Sequence, residues 1–448
     1  PYTTLFRSYN ILNYLKKMGK FISLGQYNQL YKYIWIYLSI RFITIFIFER
    51  DFVFEQIKVE IIGMPSSPFI SCQIEYLSIF LISLIIKLIQ MLLTKNVSTK
   101  SIVKKKLIFN KIKIEKEYGI TSADYFLYVN MFLLVVLELG YMIIDSFQCT
   151  ILDYWVSDML FLELFNSRLF NTKIYKHQII SLIFILSSFS LIQSIYIIIS
   201  FSYDTDEIKI FDGRKWLIPS GLTIYLFLSF SVGYIHCNEK YYLEKKYISV
   251  TDYIFYYAII GIILTLICSI ISTLAPCGDN TLPELTKIFC SYIDEDEDNN
   301  EIYYFENYKL YFKELAKENL GLKIFFIILY CLFYYSSTYY CYEIFKRLNP
   351  LYHICMYQLV NLVINILAFI NDLVNEKMQG VELTLTVLYI LILIFYFLGG
   401  LVYLEFIELN FCNLNYHLKR NIKERAKTDI MISLTTIDCE KDEENWKN

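Results

Sequence analysis

Of 448 residues, 56% are hydrophobic and 18% aromatic, which leaves too little polar surface for a water-soluble protein of this size. The formal net charge of −3 is small because acids and bases segregate by link, and the basic residues sit beside apolar segments, where membrane topology accounts for them without nucleic acid. The chain is expected to be an all-α integral membrane protein.

Residues 1–31 form an N-terminal segment. Pro1-Tyr2-Thr3-Thr4-Leu5-Phe6-Arg7-Ser8 is what a common sequencing adapter gives on translation, and is set aside when reasoning about fold. Met18 is a candidate native start. It would leave Gly19-Lys20-Phe21-Ile22-Ser23, which fits a myristoylation pattern, although an ordinary basic N-terminus is the preferred reading.

Ten mostly apolar segments follow, each of roughly the 20 residues that cross a bilayer core at a rise of about 1.5 Å per residue. The first five, 32–49, 74–94, 124–145, 150–170 and 177–200, make a first half over 32–200. A link, 201–215, leads to the second half, 216–406, with spans 216–236, 251–273, 322–343, 350–372 and 383–406. The links alternate in sign. Link 95–122 carries +6, links 171–176, 237–250 and 344–349 carry +2, +1 and +2, and 413–428 in the tail carries +4. On the other face, 50–73, 201–215 and 373–382 carry −1 each and 274–321 carries −7. Basic links stay cytoplasmic, so both termini are expected there. In each half the second-to-third link is long, which suggests two five-helix repeats, inverted because the number of spans in each is odd. The tail is 407–448, and within it Tyr416–Ile430 reads as a short basic surface helix.

Within the acidic loop 274–321, the run Asp294–Glu301 reads as solvated, without the alternating ligands and turn glycine of a calcium loop. The stretch Tyr303–Leu320 alternates aromatic and charged residues like an interfacial helix. Cys277 and Cys290 share this loop and are candidates for a disulfide, two free thiols being the alternative. No cofactor or metal is indicated: cysteines and histidines lack ligand spacing, and there is no phosphate-binding glycine loop or nucleophile elbow. His353 with Gln358 is a thin version of an acyltransferase site, and no enzyme activity is expected. The 41 tyrosines are discounted as a signal, because the abundance of Ile, Tyr, Lys, Phe and Asn fits AT-rich codons.

Ionisable groups deep in a membrane are costly and mark partners or watery cavities. Arg41 lies near the middle of the first span, Lys87 two-thirds through the second, Glu138 in the third, and Asp158 and Glu163 in the fourth. Asn361 and Asn365 are four apart and share a face of the ninth. These seven residues are the candidate substrate contacts. Each has a structural alternative. Lys87 can snorkel to the cytoplasmic edge. Arg41 can pair internally with Glu138, Asp158 or Glu163, and the two asparagines can bond helix to helix.

The passage Tyr234-Ile235-His236-Cys237-Asn238-Glu239-Lys240-Tyr241-Tyr242-Leu243-Glu244-Lys245-Lys246-Tyr247, leading into Tyr257-Ala258-Ile259-Ile260-Gly261, resembles the join between the sixth and seventh spans of nucleotide-sugar-transporter-like members of the drug/metabolite transporter superfamily (the solute carrier family 35-like and EamA-like proteins). Glu163-Leu164-Phe165, Arg168-Leu169-Phe170 and Lys176-His177-Gln178 resemble that family's join between the fourth and fifth spans, and Lys346-Arg347-Leu348-Asn349-Pro350 its entry to the ninth. The resemblance departs near Tyr257-Ala258, where an acidic residue with glycine is frequent, and in the length of 274–321. It implies two inverted halves that move a small, anionic, nucleotide-sugar-like metabolite by alternating access, in the Golgi, endoplasmic reticulum or plasma membrane. A non-transporting receptor or scaffold, with the acidic loop as partner surface, is the other expectation.

Overall fold

The computed structural model describes residues 22–24, 31–44, 68–97, 125–146, 155–170, 174–202, 217–246, 248–275, 292–295, 301–305, 307–316, 320–374, 381–410, 414–418 and 421. A short strand, β1 (Ile22–Leu24), precedes α1 (Tyr31–Thr44), α2 (Pro68–Val97), α3 (Tyr125–Ser146), α4 (Trp155–Leu169) and α5 (Lys176–Ser202). Then come α6 (Leu217–Glu244), α7 (Val250–Leu274), a hairpin of β2 (Tyr292–Glu295) and β3 (Glu301–Tyr304), α8 (Tyr308–Ala316), α9 (Leu320–Arg347), α10 (Pro350–Val374) and α11 (Val381–Tyr403). β4 (Ile407–Leu409) and a 3₁₀ turn (Leu414–His417) close the order.

The expected apolar segments overlie α1–α7 and α9–α11, and α8 forms within the stretch read as interfacial. Among the described residues, four segments are long and apolar enough to cross a membrane: Phe69–Gln90, Val250–Leu274, Leu320–Arg347 and Thr386–Tyr403. Tyr125–Tyr141 and Pro350–Ile364 are shorter apolar stretches. The two ends of the acidic run belong to the hairpin, with Asp294 opposite Ile302 and Glu295 opposite Glu301. Of the expected tail helix, the 3₁₀ turn holds the start, and 422–430 lies outside the described residues.

α7 is inside-out. Its buried positions include Tyr253, Tyr257, Ala258, Gly261, Thr265 and Ser269, whereas Ile263, Leu266, Ile267, Ile270, Ile271 and Leu274 are exposed. In water such an outer face would drive aggregation; against lipid it is the matching solvent. Hydroxyls in these helices are made tolerable by bonding back one turn. Thr44 donates to the Ile40 carbonyl, Ser188 to Phe184, Thr265 to Gly261, Ser272 to Cys268 and Ser336 to Leu332. Pro68 and Pro350 each sit at a first helical position, where no backbone donor is needed.

Helices α1–α5 interleave with α6, α7 and α9–α11. The most extensive helix pairs are α2 with α7, α5 with α11, α4 with α6 and α1 with α9. Next come α3 with α7, α2 with α9, α3 with α6, α10 with α11, α1 with α10 and α4 with α10. Smaller pairs join α6 with α9, α4 with α5, α7 with α9, α9 with α10, α2 with α3 and α6 with α10. Close approach is set by small residues. At Gly261 an added Cβ would lie 2.4 Å from the Tyr76 ring, so the ring of α2 lies on bare backbone of α7. At Gly400 it would lie 2.5 Å from Cys355 Sγ.

Outside the bundle, β1 pairs antiparallel with β4, Ile22 opposite Leu409 and Leu24 opposite Ile407. The chain leaves α11 for β4 through Glu405, whose φ of 62° is left-handed backbone.

Candidate functional site

The site is best built outward from Glu138. It stands thirteen residues into α3, far from either helix end, so the helix fixes it at depth. Its Oε2 accepts hydrogen bonds from two tyrosine hydroxyls on opposite halves, Tyr76 of α2 and Tyr257 of α7. The two phenols are themselves 3.4 Å apart, oxygen to oxygen, with edge-on rings. Gly261 explains why Tyr76 reaches so far: a side chain there would displace the ring. Among the described residues, no Lys or Arg pairs with Glu138. Hydroxyl donors carry the stabilisation that an ion pair would otherwise supply.

One turn nearer the α6 C-terminus lies a second, fully buried carboxylate. Glu239 Oε1 accepts from Tyr253 at 2.7 Å and Tyr342 at 3.1 Å, and Oε2 lies 2.6 Å from His236 Nδ1. Asn238 beside it donates to Asn130 of α3 at 3.2 Å. Tyr342 also stands edge-on to Tyr257, with ring centroids 6.4 Å apart, which brings the two carboxylate clusters into one row. A third carboxylate, Glu75 of α2, accepts from Tyr330 of α9 and neighbours Tyr334. About 18 Å of helix rise separates Glu75 from Lys87. Lys87 pairs at 2.8 Å with Asp252, one residue from Tyr253. The row therefore runs from the middle of the bundle toward the end where α6 stops and α7 begins.

The candidate residues divide accordingly. Glu138 is the centre of the row. Lys87 sits at its end, ion-paired to Asp252 and over the Phe255 ring at 3.9 Å. Arg41 lies elsewhere, between α1 and α10, with its guanidinium 5.1 Å from the Tyr357 ring centroid and close to His353 and Cys341. Glu163 is 3% exposed and accepts from Asn166 at 3.5 Å, on the α4 side and adjacent to Tyr403. The side chains of Asp158, Asn361 and Asn365 lie outside the described residues, as do Cys277 and Cys290. Their backbones place Asp158 on α4 and the two asparagines on α10.

Sequence reasoning missed Glu75, Glu239 and the six tyrosines that serve the carboxylates. Glu239 opens the charged stretch that follows the apolar segment ending at 236, so it reads as link. The helix in fact continues to Glu244. The tyrosines were hidden by their number. The usable signal was their phase on α7, where Tyr253 and Tyr257 are four apart and in step with Gly261.

The sequence matches no family model and no curated protein.

Proposed function

We propose that the protein is a multi-pass membrane transporter that moves a small metabolite by alternating access, with ten spans arranged as two inverted five-helix halves and both termini cytoplasmic. The observation that carries this reading is a regularity in the packing. Exchange each helix for its counterpart in the other half, α1 for α6, α2 for α7, α3 for α9, α4 for α10 and α5 for α11. The pairs α2–α7, α5–α11 and α4–α10 then return to themselves. α4–α6 becomes α1–α10, α1–α9 becomes α3–α6, α3–α7 becomes α2–α9, α4–α5 becomes α10–α11 and α2–α3 becomes α7–α9, and every one of these is a packed pair. Independent helices thrown together would not be expected to reproduce such a correspondence; duplication accounts for it, and an odd number of spans in each copy is what would invert the second. Only α6–α9, α9–α10 and α6–α10 lack counterparts of similar extent among the described residues.

Those three pairs converge on one end of the bundle, where Tyr342 and Tyr253 meet on Glu239 and Lys346 donates to the Ile248 carbonyl at 3.1 Å. In an inverted-repeat transporter a difference between the halves is what separates the two access states. The end bearing the basic links is the closed one in this reading. The resemblance of residues 234–261 and 346–350 to nucleotide-sugar-transporter-like proteins points the same way. Arg41, a permanent cation at depth, is the contact for an anionic group on the solute.

The test is an uptake screen with the purified chain in liposomes, using a panel of nucleotide sugars, organic anions, amino acids and small organic cations. Saturable, protein-dependent uptake of one class is expected. Failure of every class across counterflow and net-uptake formats sinks the transport reading.

A further inference from the structure

Glu138 is a carboxylate at mid-helix that both of its protonation states can inhabit, and we infer that it is the proton-binding residue of a proton-coupled transport cycle, with Glu239 and His236 linking it to the end of the bundle that carries the basic links. The inference rests on the transport reading above and deepens it by naming the coupling ion.

The geometry is that of a group made to hold or release a proton. Ionised, Glu138 accepts from Tyr76 and Tyr257 on one oxygen. Protonated, it becomes a donor itself, and each phenol oxygen is an acceptor within reach. A carboxylate meant to stay charged in such a place would be expected to have a fixed cation beside it, and among the described residues Glu138 has none. The groups that face it are hydroxyls, carboxylates, an imidazole and a thiol. They are Tyr76 on α2, His236 and Glu239 on α6, Tyr253 and Tyr257 on α7, and Tyr334, Cys341 and Tyr342 on α9, with Glu75 of α2 beyond Tyr334.

A route follows from the same contacts. A proton arriving at His236 can pass to Glu239 Oε2, 2.6 Å away. Rotation of the neutral carboxyl group turns that proton toward the Tyr342 side, where the phenol lies 3.1 Å from Oε1 and its ring stands edge-on to Tyr257, the donor to Glu138. Each transfer moves one proton between oxygen or nitrogen lone pairs, and rotation of the hydroxyl and carboxyl groups resets the relay for the next proton. Glu138 gains the proton as its carboxylate becomes a carboxyl group, and loses it to water once the other side is open.

Coupling needs the proton to bias the two access states, and the donors supply that bias. Tyr76 and Tyr257 belong to α2 and α7, a pair that maps onto itself between the halves. Their bonds to ionised Glu138 are charge-assisted and roughly twice as strong as bonds to the neutral acid. Protonation therefore loosens α2 and α7 from α3.

Two measurements on the full chain in liposomes test this. The first is a pH titration by difference infrared spectroscopy over about pH 4 to 9, following carboxyl carbonyl stretches. A titrating carboxyl band is expected in the parent, lost in Glu138→Gln and kept in Glu138→Asp. Tyr257→Phe, which removes one hydroxyl and leaves the ring, is expected to move the midpoint up by about one pH unit, because the ionised form loses the stronger, charge-assisted bond while the neutral acid keeps Tyr76 as its acceptor. This variant carries the test if Glu138→Gln fails to assemble. A band that persists in Glu138→Gln, or a midpoint unmoved in Tyr257→Phe, overturns the assignment. The second measurement traps a pH-sensitive dye inside the vesicles during the uptake screen. Solute addition is expected to change internal pH with the parent protein and not with Glu138→Gln. A solute that moves with no proton flux overturns the coupling and leaves transport standing. A protein that moves no solute while keeping the Glu138 band overturns the transport reading, and the coupling with it, but not the proton site.

Discussion

Tyr76 and Gly261 form the contact on which the rest of the site depends. Because the ring lies where a Cβ would stand, Gly261→Ala must push Tyr76 away from α7 and off Glu138. Overpacking of this kind typically costs about 1–3 kcal/mol, and a matching fall in thermal midpoint in detergent is expected. Tyr76→Leu in the same chain vacates the ring's place and should recover part of that loss. A Gly261→Ala protein as stable as its parent would contradict the contact. Arg41 answers a different question. Arg41→Lys keeps the charge but loses the planar fork that binds a carboxylate or phosphate through two bonds. A drop of about tenfold in affinity for an anionic solute is expected, about 1.4 kcal/mol, with yield unchanged. Uptake that survives both Arg41→Lys and Arg41→Gln would confine Arg41 to packing on Tyr357. Single residues were the least legible level in the sequence. Glu138 stands out as an acid in an apolar run, but its donors come from positions 62 residues before and 119 after it, and no local pattern announces them.

Helices were legible because hydropathy reports length and apolar content directly, and those are what a bilayer selects. Their ends were not. Charged clusters stop a hydropathy window but not a hydrogen-bonded ladder, so α6 runs on through Asn238, Glu239 and Lys240 to Glu244, and α2 through Lys95 to Val97. The strands were invisible as well, since three residues carry no readable period. β1 and β4 nevertheless hold the entry to α1 against the exit of α11. Deleting residues 1–17 leaves this pairing whole, and expression, insertion and thermal midpoint are expected to be unchanged. Deleting residues 1–24 removes β1, and a fall of a few degrees in midpoint is expected by scanning calorimetry. Equal stability of the two truncations would show that the strand pair contributes nothing.

At the scale of the whole molecule, charge alternation predicts a topology, and packing supplies what alternation cannot, namely which helix meets which. Glycosylation tags in 50–73, 201–215, 274–321 or 374–381 are expected to be modified, and tags in 95–122 or 237–250 are not. The native Asn96-Val97-Ser98 sequon is expected to stay bare, and its modification would overturn the orientation. Cys237 gives a second check. It is 1% exposed, and its thiol donates to the Leu162 carbonyl at 3.5 Å, two turns before α6 ends at Glu244. A membrane-impermeant thiol reagent on the cytoplasmic side should label it slowly at rest and faster when a transported solute shifts the population toward the opposite access state. A rate blind to such a solute would mean that this end does not open.

The pairing of β1 with β4 constrains something further, the parity of the fold. A strand that precedes the first helix and a strand that follows the last can hydrogen-bond only if both lie on one side of the membrane. The chain between them must then cross an even number of times, whatever the hydropathy of any one helix suggests. Ten crossings satisfy this and nine do not. A single helix cannot be demoted from span to surface without a second one following it. Epitopes placed before Ile22 and after Leu409 will accordingly always report the same side, in any orientation the protein adopts; finding them on opposite sides would break the strand pair and the even count together.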